Sequence, residues 1–101
     1  MEEFVKSART LDIPPGTGKV VQVGSNPVAI FNVEGKYHAI HNTCLHRQGP
    51  LGEGELDGTT VTCPWHGWNY NVTTGECLNR AGAKVACFEV RVDGEDILIK
   101  A

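Results

Sequence analysis

Residues 44–68 read CLHRQGPLGEGELDGTTVTCPWHGW, and this stretch holds two of the chain's four cysteines and two of its four histidines. They stand as two mixed pairs, Cys44-x-His46 and Cys63-x-x-His66, with residues 47–62 between them. Each pair lies where Gly and Pro interrupt the pattern, in NTCLHRQGP and in CPWHGW. Both are therefore expected as loops, spanning about residues 43–51 and 62–70. The segment between the loops carries an Asp57-Gly58 turn signal before TTVTC, which predicts one hairpin with a loop at each end.

The pattern outward from this stretch is that of short strands. FEVRV places Phe88, Val90 and Val92 on one face and Glu89 and Arg91 on the other, the period of a half-buried strand. Glu34-Gly35 separates PVAIFNV from KYHAIHN, Thr74-Gly75 follows WNYNV, and Asp93-Gly94 precedes DILIK, all readable as hairpin turns. The run from Val28 to Val33 is apolar on both alternations except at Asn32, which suits a central strand covered on both sides. No stretch keeps a helical period. The expected fold is all-β, about eight to ten short strands packed as a small β-sandwich or open barrel in one domain, residues 1–101.

Composition agrees with a small globular domain: 101 residues, 41% hydrophobic, 21% charged, 12 Gly and 5 Pro. A net charge of -3 with no concentrated Lys/Arg surface argues against nucleic acid as a partner. The opening MEEFVKSARTLDIPPGTG shows no cationic segment followed by an apolar run, and PVAIF is too short to cross a bilayer. A cytoplasmic location without a membrane partner is expected. Thiols stay reduced there, and clustered cysteines more often bind metal than form disulfides.

Two thiolates and two imidazoles suit a transition metal, since Mg and Ca prefer oxygen. Tetrahedral zinc is the simplest candidate. Zinc ribbons and fingers, however, pair like ligands in each knuckle, whereas each loop here carries one Cys and one His. Mixed loops suit a two-iron centre, each sending its thiolate to one iron and its imidazole to the other.

The full pattern resembles the Rieske [2Fe-2S] proteins, with C-x-H, about 15 to 17 residues, then C-x-x-H. The likeness extends to Gly49 and Pro50-Leu51 after the first pair and to Pro64, Gly67 and Tyr70 around the second. It implies a [2Fe-2S] cluster with Cys44 and Cys63 on one iron and His46 and His66 on the other. Replacing two thiolates by neutral imidazoles takes the oxidised cluster from formally dianionic to neutral, so an electron enters more easily.

Departures from the family pattern narrow the subclass. High-potential members carry an extra Cys in each loop and a serine two residues after the second His; here the equivalents are Gly49, Trp65 and Trp68. Many members place a proline-bearing loop beside the cluster, and NRAGAKVA lacks that proline. CLHRQGPL and CPWHGWNY also resemble the Rieske domains of ring-hydroxylating oxygenases, but no two-His, one-carboxylate iron site can be read in the chain. The resemblance is strongest to stand-alone Rieske ferredoxins. It implies a one-electron carrier with no catalytic residues, taking electrons from a flavin-dependent reductase and passing them to a terminal oxygenase or other redox enzyme. Alternatives are a small Rieske-type subunit of a larger enzyme such as nitrite reductase, and a zinc-stabilised structural module.

The remaining candidates read more plainly. Cys77 and Cys87 match no motif position and are expected as small buried thiols in or beside strands, a disulfide between them being the lesser alternative. His38 and His41 are expected as strand-edge residues, His41 close enough to the first loop to touch it. Trp65 and Trp68 flank His66 as candidates for core, cluster shielding or a docking surface.

Overall fold

The computed structural model describes residues 4–43, 50–65, 67–80 and 82–100. These form nine strands: β1 Val5–Arg9, β2 Gly18–Val23, β3 Asn26–Val33, β4 Lys36–His41, β5 Glu55–Asp57, β6 Thr60–Thr62, β7 Asn69–Asn71, β8 Cys87–Asp93 and β9 Asp96–Lys100. Six build one antiparallel sheet in the order β1-β9-β8-β4-β3-β2, and β5-β6-β7 build a second. The larger sheet curls so that β1 comes against β2. This is the expected all-β small sandwich or open barrel, and among the described residues the helical content is two single 3-10 turns.

Turn chemistry fixes the register. Val33 pairs with Lys36, leaving Glu34 and Gly35 as a two-residue connection with φ of 51° and 90°. Positive φ at both positions is what a type I′ turn requires, and that turn matches the right-handed twist of the strands it joins. Asp57 pairs with Thr60 and Asp93 with Asp96, so both of those expected hairpins close as tightly. A further hairpin turns between Val23 and Asn26 at Gly24, whose φ is 62°.

β3 is the central strand anticipated from its sequence, with Val28, Ala29, Ile30, Phe31 and Asn32 all buried. Its two faces serve two cores. Val28 and Ile30 join Ala8, Ile13, Val23, Ala39, Ile97 and Ile99 inside the curled sheet. Ala29 and Phe31 join Ile40, Leu51, Val61, Cys63, Tyr70, Val72, Cys77 and Val85, which ties the small sheet to the large one. Each large apolar side chain so buried contributes roughly 1.5–3 kcal/mol relative to exposure. Asn32, the polar exception, is fully engaged: Nδ2 donates to the Ile13 carbonyl (2.8 Å) and to the Tyr37 hydroxyl (3.3 Å), and Oδ1 accepts the Gly35 N–H (2.8 Å).

One expectation is corrected. Cys77 is buried, but Cys87 is exposed at the start of β8, and both are free thiols with no disulfide between them. Phe88 turns inward, and strand alternation sends its predecessor out.

Candidate iron-sulfur site

The first motif loop leads from the large sheet into the small one, the second joins two strands of the small sheet, and their bases are drawn together. The first departs from β4, and its neck is closed by Asn42. The Asn42 carbonyl accepts the Leu51 N–H (2.7 Å), its Oδ1 accepts the Gly52 N–H (2.7 Å), and its own N–H donates to the Pro27 carbonyl (2.9 Å). Thr43 and Pro50 form an antiparallel bridge just outside. His41 touches this neck as expected, its Nδ1 accepting the Thr43 N–H at 3.1 Å. The asparagine was missed in the sequence, where an Asn at a strand end carries no pattern of its own.

The second loop runs from β6 to β7. The Cys63 N–H donates to the Trp68 carbonyl (2.7 Å) and the Gly67 N–H to the Cys63 carbonyl (3.1 Å), which draws the two ends of this turn together. Cys63 is 2% exposed and packs with Leu51 and Tyr70. Trp68 packs against the same core, whereas Trp65 stands out at 59% exposure. The two tryptophans thus divide the roles left open for them: one covers, the other faces solvent.

The loops meet at Gly54. A Cβ there would lie 2.2 Å from the Thr62 carbonyl oxygen and 3.1 Å from that of Leu51, so only a glycine lets the end of the first loop pass the residue before Cys63. Of the four expected ligands, the structure describes Cys63; Cys44, His46 and His66 lie outside the described residues. Among the described residues no three His, Cys, Asp or Glu side chains come together as a metal site.

A third element joins the site. After β7 the chain turns at Gly75, and Cys77 bridges back to Tyr70. A short hairpin follows, closed by the Cys77 N–H donating to the Ala83 carbonyl (2.9 Å). Its tip reaches the second loop: the Leu78 N–H donates to the Asn69 carbonyl (2.8 Å), and the Asn69 N–H donates to Asn79 Oδ1. This is the segment that lacks the family's proline.

The Rieske [2Fe-2S] domain profile matches residues 3–89. The chain belongs to the Rieske [2Fe-2S] family. It is 34% identical over 98 residues to the ferredoxin CarAc of Metapseudomonas resinovorans, covering 95% of this chain and 92% of that one. It is 33% identical to the biphenyl dioxygenase ferredoxin subunit of Pseudomonas sp. strain KKS102, over 95% and 90% of the two chains. Among solved structures it superposes with a TM-score of 0.85 and 33% identity on a chain of the complex of reduced oxygenase and oxidized ferredoxin in carbazole 1,9a-dioxygenase, covering 96% of this chain and 92% of that chain.

Family membership makes the cofactor a Rieske-type [2Fe-2S] cluster and replaces the zinc alternative. The described residues fit that group: a buried thiol sits at the base of a closed turn, beside a second loop whose neck is pinned to the same core. The Rieske protein is an electron carrier and not an enzyme with a substrate of its own, in line with the relatives it matches over nearly their whole length. No helix among the described residues is long and apolar enough to cross a membrane.

Proposed function

We infer that this chain is a single Rieske domain over residues 1–101 that carries one electron at a time from a flavin-dependent reductase to a terminal oxygenase, in the cytoplasm. The observation that supports it most is the near end-to-end match to ferredoxin components at about a third identity, alongside the close approach of Gly54, after the first motif loop, to Thr62, before the second.

When bound, the cluster takes up and releases a single electron. Cys44 and Cys63 would supply its thiolates, and His46 and His66 its imidazoles. Cys63 provides a buried attachment, and Leu51, Tyr70 and Trp68 keep water from that side. The exposed Trp65, one residue before His66, gives the partner an apolar contact beside the ligand, as aromatic anchors do at interfaces.

Electron paramagnetic resonance of the dithionite-reduced protein tests this reading. A Rieske signal is expected, with a midpoint in the lower half of the known range of about -150 to +300 mV, since position 68 is Trp and offers no hydroxyl to cluster sulfur. A colourless protein that purifies with zinc, or a midpoint above roughly +200 mV, refutes it.

A further inference from the structure

We propose that Asn79 is a positioning residue: its side chain clamps the hairpin closed by Cys77 and Ala83 onto the second cluster loop and so governs cluster retention and the reach of solvent to it. The proposal rests on the [2Fe-2S] reading given above. Its starting point is how that hairpin is attached. At its base the backbone is well paired, with the Asn71 N–H on the Glu76 carbonyl (2.9 Å) and the Val85 N–H on the Gly75 carbonyl (2.9 Å). Cys77 is buried there in the core.

Beyond Cys77 the support changes. Leu78, Asn79 and Arg80 are all exposed, so packing does not hold the tip. Among the described residues, two hydrogen bonds to one residue carry it instead. The Asn69 carbonyl takes the Leu78 N–H, and the Asn69 N–H goes to the Asn79 carboxamide oxygen. Asn69 in turn accepts the Thr62 hydroxyl on its own Oδ1 (2.8 Å). Thr62 directly precedes Cys63, and Asn69 directly follows Trp68, whose carbonyl closes the cluster turn at 2.7 Å. The links Thr62 to Asn69 to Asn79 therefore cross both ends of the turn that carries Cys63 and His66.

A side chain is needed at this point because Asn69 offers its N–H sideways from β7, toward the hairpin. The carboxamide oxygen of Asn79 reaches it and an alanine cannot, so in its absence water takes the N–H and the tip is left on one bond. A tip that swings away admits water beside the turn. Water stabilises the more highly charged member of the redox pair, here the reduced state, and this raises the midpoint.

The test compares the cluster-loaded wild type with Asn79→Ala and Asn79→Asp, both at an exposed position. In Asn79→Ala the Asn69 amide should exchange its hydrogen roughly two- to tenfold faster, the range of one ordinary hydrogen bond. Visible absorbance should be lost faster under an iron chelator, and the midpoint should rise. Asn79→Asp keeps an acceptor at the same reach and should restore both the amide protection and the chelator resistance, which a merely tolerant surface site would not show. Unchanged Asn69 exchange in Asn79→Ala overturns the clamp. Faster exchange with unchanged chelator loss and midpoint overturns its role toward the cluster. A wild-type protein that forms no cluster refutes the electron-carrier reading, a failure visible before any mutation is made.

Discussion

The Thr62 carbonyl oxygen stands 2.2 Å from the point where a side chain on Gly54 would begin. That approach brings the end of the first motif loop past the strand that feeds Cys63, and it couples the two loops on either side of the β5–β6 hairpin. Gly54→Ala should force the loops apart, destabilise the fold by about 1–3 kcal/mol as overpacking against backbone does, and reduce the iron bound per chain. Denaturant unfolding and iron content measured together check it. A variant with wild-type iron content and stability would mean the approach is dispensable.

The cysteines separate by environment. Cys63→Ser and Cys44→Ser should abolish the visible absorbance, because a hydroxyl is a harder and weaker donor to iron than a thiolate. Cys87→Ser, at an exposed strand start, should change neither absorbance nor stability. Cys77→Ser places a hydroxyl in an apolar core and should cost about 1–3 kcal/mol while the absorbance persists. Iron loss from a folded Cys77→Ser or Cys87→Ser protein would overturn the ligand assignment.

Much of this was legible because local chemistry decides it. Glu34-Gly35 and Asp93-Gly94 announce their hairpins through a residue that tolerates positive φ, and β3 announces two-sided burial by having Asn32 as the one polar residue between Val28 and Val33. Part of what satisfies Asn32 follows from the Glu34-Gly35 hairpin, which sets Tyr37 opposite it, but the Ile13 carbonyl reaches it from a separate segment and leaves no sequence signal. Cys87 was misplaced although the signal existed: extending the FEVRV alternation back by one residue puts it on the outer face with Glu89 and Arg91. The site itself divides in the same way. Ligand types and spacing lie along the chain, but the Asn42 neck, the Gly54 approach and the Asn69–Asn79 tie depend on contacts that follow no sequence period.

Trp65 and Trp68 should fail differently. Trp65 is 59% exposed, so Trp65→Ala should leave stability and midpoint unchanged while weakening productive association with the electron acceptor about tenfold or more, the loss expected of an aromatic anchor. Trp68 packs on the core shared by Cys63 and Tyr70, and Trp68→Ala should destabilise by about 2–4 kcal/mol, less than a fully buried tryptophan would. Stopped-flow reduction of an oxygenase by each variant, beside its thermal unfolding, distinguishes the two. Equal electron-transfer rates for Trp65→Ala and wild type would remove Trp65 from the docking surface.

His38 gives the fold an acid-side dependence. It lies opposite Phe31 on β4, half-buried, and burial lowers its pKa below the ordinary 6.5, with the Lys36 charge adding to the effect. The folded protein therefore keeps His38 neutral at a pH where the unfolded chain already binds a proton. Above about pH 6.5 the residue is neutral in both states and contributes no pH dependence. As pH falls through 6.5 the unfolded state takes up more protons, so stability declines, and the decline from this residue ends once pH drops below the lowered folded value. His38→Gln removes the titrating group and should flatten that part of the profile. Denaturant midpoints for wild type and variant at pH 7.5 and pH 5 measure it as a difference, which cancels groups common to both. Wild type should lose more stability than His38→Gln between the two values; an equal loss would show that the imidazole protonates as readily in the fold as in the unfolded chain, and a smaller loss that it protonates more readily there.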